Sequence, residues 1–262
     1  MISESERQLW QKLDANENHF FALHRSERVD WPEAVLLASP YPEIAIWNYA
    51  GSVNTSKENL AALITDVEQF FRERNMSPAF KINPLTLPNQ LKRELASRGY
   101  ELKTEATTML YSGELRVFVK SNRTRVERVR INQIETFTIT QLDGFESSRD
   151  WLPWFLETNK RNVARSDHVY YLAFHDDEPA GVMLAVYEPK DVCGIYAVAT
   201  LPKFRGQGIA TELFAHVIAD AERAGCDHIT LSTATGGPAE RYFEKLGFDQ
   251  AYTSSLLTKP RQ

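Results

Sequence analysis

Residues 192–221 restrict the possible folds more than any other stretch of the chain. Val192 to Thr200 is rich in β-branched and small residues and reads as a buried strand. Pro202 ends that strand because it has no N–H to give a ladder. Arg205-Gly206-Gln207-Gly208 then makes a tight turn, with glycines where the backbone must bend sharply or approach a ligand closely. From Ile209 the period becomes helical, with Ile209, Leu213, Val217 and Ala221 on one face and Phe214 and Ile218 beside them. A strand, a glycine turn and a helix leave the first helical N–H groups without partners. That positive terminus suits an anionic phosphate.

The spacing decides which phosphate ligand is meant. The dinucleotide fingerprint needs a third glycine where Thr211 stands, and no Gly-Lys-Ser/Thr follows to make a Walker loop. Arg205-Gly206-Gln207-Gly208-Ile209-Ala210, after Val198-Ala199-Thr200-Leu201-Pro202, resembles the acyl-CoA motif of the GNAT acyltransferase superfamily, R/Q-x-x-G-x-G/A. Downstream, Ala239-Glu240-Arg241-Tyr242-Phe243-Glu244-Lys245-Leu246-Gly247-Phe248 is similar to a second motif of that superfamily, A-x-x-L-Y-x-K-x-G-F. The resemblance implies a mixed central sheet flanked by helices, in the α/β (α+β) class. It implies acetyl-CoA as co-substrate, with no metal, and a primary amine, small molecule or peptide, as acceptor. Arg205, Gly206, Gln207, Gly208, Ile209, Ala210 and Thr211 would hold the pyrophosphate. The backbone of Ala197, Val198 and Ala199 would hold the pantetheine and polarise the thioester carbonyl.

Acyl transfer to an amine requires the amine to lose its proton, an oxyanion to be stabilised and the thiolate to leave. The superfamily's tyrosine, often the donor to the thiolate, falls on Phe243, and its CoA-contacting asparagine falls on Gly236. Tyr242 is the substitute acid, one helical step or about 100° away. Several groups are candidate bases: Tyr196 on the glycine-bearing strand, and Glu157, Asp167, His168 and Glu188 where the substrate cleft should be. Water could relay the proton instead. The function expected is an N-acetyltransferase working by direct transfer in a ternary complex. The alternative is a CoA-binding sensor or regulatory module with weak or no catalysis.

The same order of elements occurs twice. Strand, loop, helix, strand, helix, Gly-aromatic and strand run through 43–111 and again through 194–257, and residues 91–100 lie on 239–248 without a gap. Two GNAT-like halves in tandem are therefore expected. Residues 1–112 are the degenerate half, with Val53-Asn54-Thr55-Ser56-Lys57-Glu58 in place of the glycine loop. A basic connecting segment, partly strand, covers 113–133, and the acetyltransferase domain covers 134–262. In the first half, helices are expected over 4–23, 58–74 and 87–98, strands over 34–38, 43–50 and 79–82, and a strand or hairpin over 100–111. In the second, 135–141 reads as a strand, 146–159 as a helix, and 168–175 with 180–187 as a hairpin. The basic segment carries Arg116, Lys120, Arg123, Arg125, Arg128 and Arg130 between apolar positions that include Val117 and Val119. Glu114 and Glu127 interrupt it and few aromatics are present for stacking, so a solvated strand face fits better than a nucleic-acid surface.

The balance of the 262 residues agrees, with a hydrophobic fraction of 43% and a net charge of −5. That acidity argues against nucleic acid as a partner. No run of about 18 apolar residues suggests a membrane span, and the acidic start lacks signal-peptide character, so a cytoplasmic location is expected. Cys193 and Cys226 match no metal spacing and read as two buried thiols. Oligomeric state is left open.

Overall fold

In the computed structural model, which describes residues 2–41, 44–116 and 122–260, the first helical period becomes α1 (Glu4–His24). Ser3 and Glu6 close a capping box at its start. There follow β1 (Glu27–Trp31), β2 (Ala34–Ala38), β3 (Tyr49–Gly51), α2 (Leu60–Arg72), β4 (Ala79–Ile82), α3 (Leu91–Ser97) and β5 (Glu101–Tyr111). The second half contains β6 (Thr124–Arg128), α4 (Ile134–Gly144), α5 (Leu152–Asn162), β7 (His168–His175), β8 (Glu178–Val186), β9 (Val192–Thr200), α6 (Ile209–Arg223), β10 (His228–Ala234), α7 (Pro238–Leu246) and β11 (Phe248–Thr258). The repeated order is present in both halves. α3 and α7 each run into a left-handed glycine, Gly99 at φ +83° and Gly247 at φ +109°, before the next strand. No helix of the described residues is long and apolar enough to cross a membrane.

The chain divides into two compact units. One comprises Met1–Met109, Ser232–Glu240 and Gln250–Gln262, and the other Leu110–Leu231 and Arg241–Asp249. These units cut across the sequence division at 112 and 134. In the first, the strand order is β1-β2-β3-β4-β11-β5. Residues Ser255 to Thr258 of β11 pair antiparallel with β4, so the last strand of the chain is built into the sheet of the first unit. One core there gathers Leu63, Ile64, Val67 and Phe71 of α2 with Leu36, Phe80 and Leu257. In the second unit the order is β10-β9-β8-β7-β6, with β10 parallel to β9 and the other neighbours antiparallel.

Three expectations need correction. The first is 135–141, which lies within helix α4 and is not a strand. Its Thr-apolar alternation coincides with a helical spacing, Ile134, Phe137, Thr138, Gln141 and Leu142, all buried. Two of its threonine hydroxyls are consumed inside the helix, Thr138 donating to the Ile134 carbonyl (2.7 Å) and Thr140 to that of Thr136 (2.8 Å). The first strand of the second unit is instead β6, inside the basic segment. The second is 146–159. α4 closes at Gly144, Glu146 takes φ +53°, one 3₁₀ turn covers Arg149–Trp151, and α5 starts on Leu152-Pro153. The third is 43–50, where only Tyr49–Gly51 is strand, preceded by a 3₁₀ turn at Ala45–Trp47. Pro42, Glu43, Val117, Val119 and Lys120 lie outside the described residues.

The hairpin of β7 and β8 turns on Asp176 and Asp177, both left-handed (φ +46° and +64°), as a two-residue turn requires. The arginines near β6 face acids. Arg116 pairs with Asp249 (3.2 Å), Arg123 with Asp176, Arg125 with Glu127, and Arg128 with Asp220 (2.7 Å). Four arginines of the basic run are thus paired with acids.

Candidate functional site

The site is built where β9 ends. Its registered pairs with β10 cover only Val192–Gly194 against His228–Thr230, whereas pairs with β8 continue to Thr200. Between Val182 and Leu184 of β8 the register shifts, and Ala197 on the facing part of β9 takes φ +52°. This is a bulge on a non-glycine residue, an outlier that costs on the order of 1 kcal/mol. It turns backbone groups at Ala197 and Val198 out of the ladder. Tyr196, Ala197 and Val198 are half-buried, while Val192 to Ile195 and Ala199 are buried.

Close packing fixes the end of the strand. A Cβ on Gly144 would stand 2.8 Å from the Ala199 Cβ, and one on Gly181 would stand 2.9 Å from the Ala199 carbonyl oxygen. The C-terminus of α4 and the middle of β8 therefore clasp Ala199, and no larger side chain fits at any of the three positions. Gly144 and Gly181 were missed by sequence reasoning. Their signal was an isolated glycine within an otherwise regular element.

After β9, Pro202–Phe204 makes one 3₁₀ turn and the loop descends through two left-handed glycines, Gly206 (φ +75°) and Gly208 (φ +81°). Added Cβ atoms there would meet nothing within 4 Å, so glycine is chosen for its backbone conformation and the space above it is open. Gly208 is the N-cap of α6 and has no side chain to offer the first N–H groups, while its carbonyl accepts from Glu212 N (3.0 Å). The helix thus presents its positive end through Ile209, Ala210 and Thr211.

Side chains brace this loop. Arg205 donates from Nη2 to the Gly144 carbonyl (2.9 Å) and from Nε to that of Thr200 (3.3 Å), with Glu146 at 3.4 Å from Nη1. Its guanidinium ties the loop to α4 and β9. Gln207 donates to the Lys203 carbonyl at 3.1 Å. Around the loop lies a cavity of about 340 Å³, lined by Thr200, Phe204, the loop, the first turn of α6 and Tyr242. The structure brings Arg205, Gly206, Gly208, Ile209, Ala210, Thr211 and Tyr242 to that one cavity. Gln207, Tyr196, Ala197, Val198 and Ala199 are not among its lining residues.

Tyr242 and Phe243 divide the two faces of α7. Phe243 is 7% exposed and packs edge-on against Phe214 and Phe248, at 5.6 and 6.4 Å between centroids. Tyr242 also lies edge-on to Phe214, at 6.4 Å between centroids, but its hydroxyl reaches out to 3.1 Å from Thr211 Oγ1, on the first turn of α6. Burial raises its pKa above the ordinary phenol value, against the hydrogen bond from Thr211, so the hydroxyl stays protonated at neutral pH. Among the candidate bases, Asp167 is engaged by Arg165 (2.8 Å) and by His168 Nδ1 (3.0 Å), and the His168 side chain is fully buried.

In the first half, the corresponding helix start is arranged differently. Thr55 donates to the Glu33 carboxylate and Asn59 Nδ2 approaches it at 3.3 Å. A carboxylate of the protein itself holds the loop before α2.

No curated protein matches the chain by sequence. Residues 130–248 match the model of the acetyltransferase (GNAT) family. Among solved structures, the chain is similar to a GCN5-related N-acetyltransferase from Kribbella flavida, with 15% identity and a TM-score of 0.73 over 100% of this chain and 98% of that one. It is also similar to a functionally unknown conserved protein from Staphylococcus epidermidis, with 13% identity, a TM-score of 0.68 and coverage of 91% and 96%. A third similar structure is a tandem GNAT protein from the clavulanic acid biosynthesis pathway, with 11% identity, a TM-score of 0.66 and coverage of 99% and 97%. Residues 130–248 therefore form a domain that matches the GNAT acetyltransferase family model, in a chain whose mixed α/β fold is that of GNAT proteins from end to end.

Proposed function

We propose that this protein is an N-acetyltransferase that moves acetyl from acetyl-CoA to a primary amine by direct transfer in a ternary complex. The observation that carries the reading is the uncapped N-terminus of α6, opened by two left-handed glycines onto a cavity. Such a terminus offers N–H groups and a positive dipole end to a pyrophosphate. Acetyl-CoA would supply the activated acyl group. The backbone of Ala197 to Ala199 would hold the pantetheine amides, and the bulge would free an N–H to polarise the acyl carbonyl. Tyr242, protonated at neutral pH, is assigned as acid toward the departing sulfur, and Tyr196 as the group on β9 that handles the amine proton. Residues 1–112 are assigned no CoA, since Glu33 already occupies the polar groups of the loop before α2.

A second reading, a CoA-binding sensor with weak catalysis, draws on Phe243. The position where the superfamily's tyrosine falls is packed into an aromatic core and holds no hydroxyl. Such a protein would bind acetyl-CoA yet release no CoA thiol with any amine offered.

The test is thermal unfolding with and without acetyl-CoA, for the wild type and for Gly208→Glu, with Gly208→Ala as control. Ligand at 100 times its dissociation constant should stabilise the wild type by about 2.7 kcal/mol, a rise of a few degrees in Tm. Gly208→Ala should cost on the order of 1 kcal/mol without ligand, because φ +81° disfavours a Cβ, and should retain the rise. Gly208→Glu puts a carboxylate in the phosphate seat and should lose it. Equal protection of the glutamate variant would place the nucleotide elsewhere and sink the assignment.

A further inference from the structure

The first unit contains a cavity of about 290 Å³ that the transferase reading does not use. It lies on the face of the sheet that α1 covers, where Glu17 reaches Lys81 and Phe21 meets Tyr49 edge-on. Phe21, Ile46, Tyr49, Ala106, Ala234 and Leu256 give it largely apolar walls. At the rim Ile46 is 49% exposed and Ser232 is exposed, so the cavity communicates with solvent.

One ion pair interrupts those walls. Lys81 of β4 is 7% exposed, and its Nζ donates to Glu17 Oε2 of α1 at 2.6 Å. Burial would lower that ammonium's pKa, but Glu17 and Asp14 outweigh it and raise the value, so Lys81 keeps its charge at neutral pH. An ammonium has three N–H groups, and Glu17 is the only acceptor of this one among the described residues. Donors are therefore left unspent at Nζ, and Glu17 Oε1 likewise has no donor among the described residues. No other acid of the unit supplies the missing acceptor. The Glu105 carboxylate accepts from Ser255 Oγ (3.0 Å) on the opposite face of the sheet, that of Leu257 and α2. Asp14 stands outside the lining, where it accepts from Ser52 Oγ (2.5 Å) and Asn83 Nδ2 (3.0 Å). A buried donor without an acceptor is costly, and a ligand that supplies one relieves that cost. The charge of the ligand follows from the pair, which is neutral as a unit. A ligand ammonium would find Glu17 already held by Lys81, and a ligand carboxylate would meet Glu17 beside the single cation of the lining. What fits is an uncharged head that accepts at one atom and donates at its neighbour.

We propose that this cavity binds a small primary carboxamide with an apolar body, its carbonyl oxygen accepting from Lys81 Nζ, its amide N–H donating to Glu17 Oε1 and its body lying on Phe21, Ile46 and Leu256. The inference rests on the first unit alone and is independent of the acetyl-CoA reading. Both hydrogen bonds have a charged partner, which makes them the stronger kind, and both run at low dielectric. A volume of about 290 Å³ suits an aryl or short alkyl body.

The experiment is isothermal titration of the full chain with phenylacetamide and hexanamide, each against its methyl ester, its carboxylate and the amine of the same body. At least one amide should bind in the millimolar range or tighter. Its ester, which accepts but cannot donate, should bind about tenfold more weakly, and the carboxylate and the amine more weakly still. The double variant Glu17→Met with Lys81→Met replaces the ion pair by apolar side chains of similar length, a change that folded proteins tolerate, and should weaken the amide about tenfold or more. Ala106→Trp, which fills the cavity from β5, should abolish binding of every compound, and cooperative thermal unfolding would show that both variants are folded. The proposal is overturned if no amide binds, if the carboxylate or the amine binds as tightly as its amide, or if either variant binds the amide like the wild type.

Discussion

Neighbouring residues of α7 show how one helical step separates packing from chemistry. Phe243 joins the Phe214 and Phe248 rings in the core, and Tyr242 reaches the Thr211 hydroxyl on the first turn of α6. The pattern in the sequence identified the helix and its aromatic pair but left open which ring faces the ligand, because amphipathic phase is set by what packs on the other side. Tyr242→Phe removes only the hydroxyl. If Tyr242 delivers a proton to sulfur, kcat should fall about 100-fold or more at unchanged KM for acetyl-CoA, as loss of a general acid does. If the hydroxyl serves only the phosphate end, KM should rise with kcat unchanged, and the role assigned to it fails. The Ala197 bulge lies beyond sequence reasoning for a related reason. Nothing in Ile195-Tyr196-Ala197-Val198 announces a left-handed residue, which the mismatch between β8 and β9 imposes.

Between elements, the second unit ties its edge strand to its main helix through Asp220. The Asp220 side chain on α6 is 8% exposed and accepts from Arg128 of β6 (2.7 Å) and Tyr171 of β7 (2.8 Å), with Arg223 paired one turn along. Burial by itself would raise the carboxyl's pKa, but the Tyr171 and Arg128 hydrogen bonds overcome it and hold the carboxyl below the ordinary aspartate range. A folded-state pKa below the unfolded one gives stability that is present above about pH 4 and is lost as pH falls through the folded value. Asp220→Asn should therefore lower stability by about 1–3 kcal/mol at pH 7, below the full cost of a buried pair because both arginines are more than half exposed. Urea titrations at pH 7 and pH 3 check this, and a deficit that stays the same in acid would contradict it. The arginine-rich segment itself was legible as strand from its alternation. Its partners Asp176 and Asp220 stand far along the chain, and only the antiparallel register of β6 with β7 and the position of α6 bring them near.

At the level of the whole molecule, the repeat was legible because it is an order of elements with a glycine-aromatic punctuation. The boundary of the units was not. Leu257, 4% exposed, belongs to the core of α2 and Phe80 although it lies at the other end of the sequence. Leu257→Ala should cost about 2–5 kcal/mol. It should raise amide exchange in α2 more than in α6. Protection lost first from α6 would mean that β11 does not support the first unit as described.

Local chemistry sufficed for the strand, the glycine turn and the helix of residues 192–221, because each depends on backbone preferences and on periodicity within a few residues. It sufficed for the acidic, globular character of the chain and for the repeated order of its elements. Local chemistry misread 135–141, where alternation and helical spacing coincide and only packing against the sheet selects the helix. Tertiary structure alone placed β11 beside β4, aimed Tyr242 at Thr211, closed Gly144 and Gly181 on Ala199, and enclosed Lys81 with Glu17 beneath an apolar cavity. Each of these joins residues distant in sequence, and the free energy that decides them is that of burial and close packing, which no window of sequence contains.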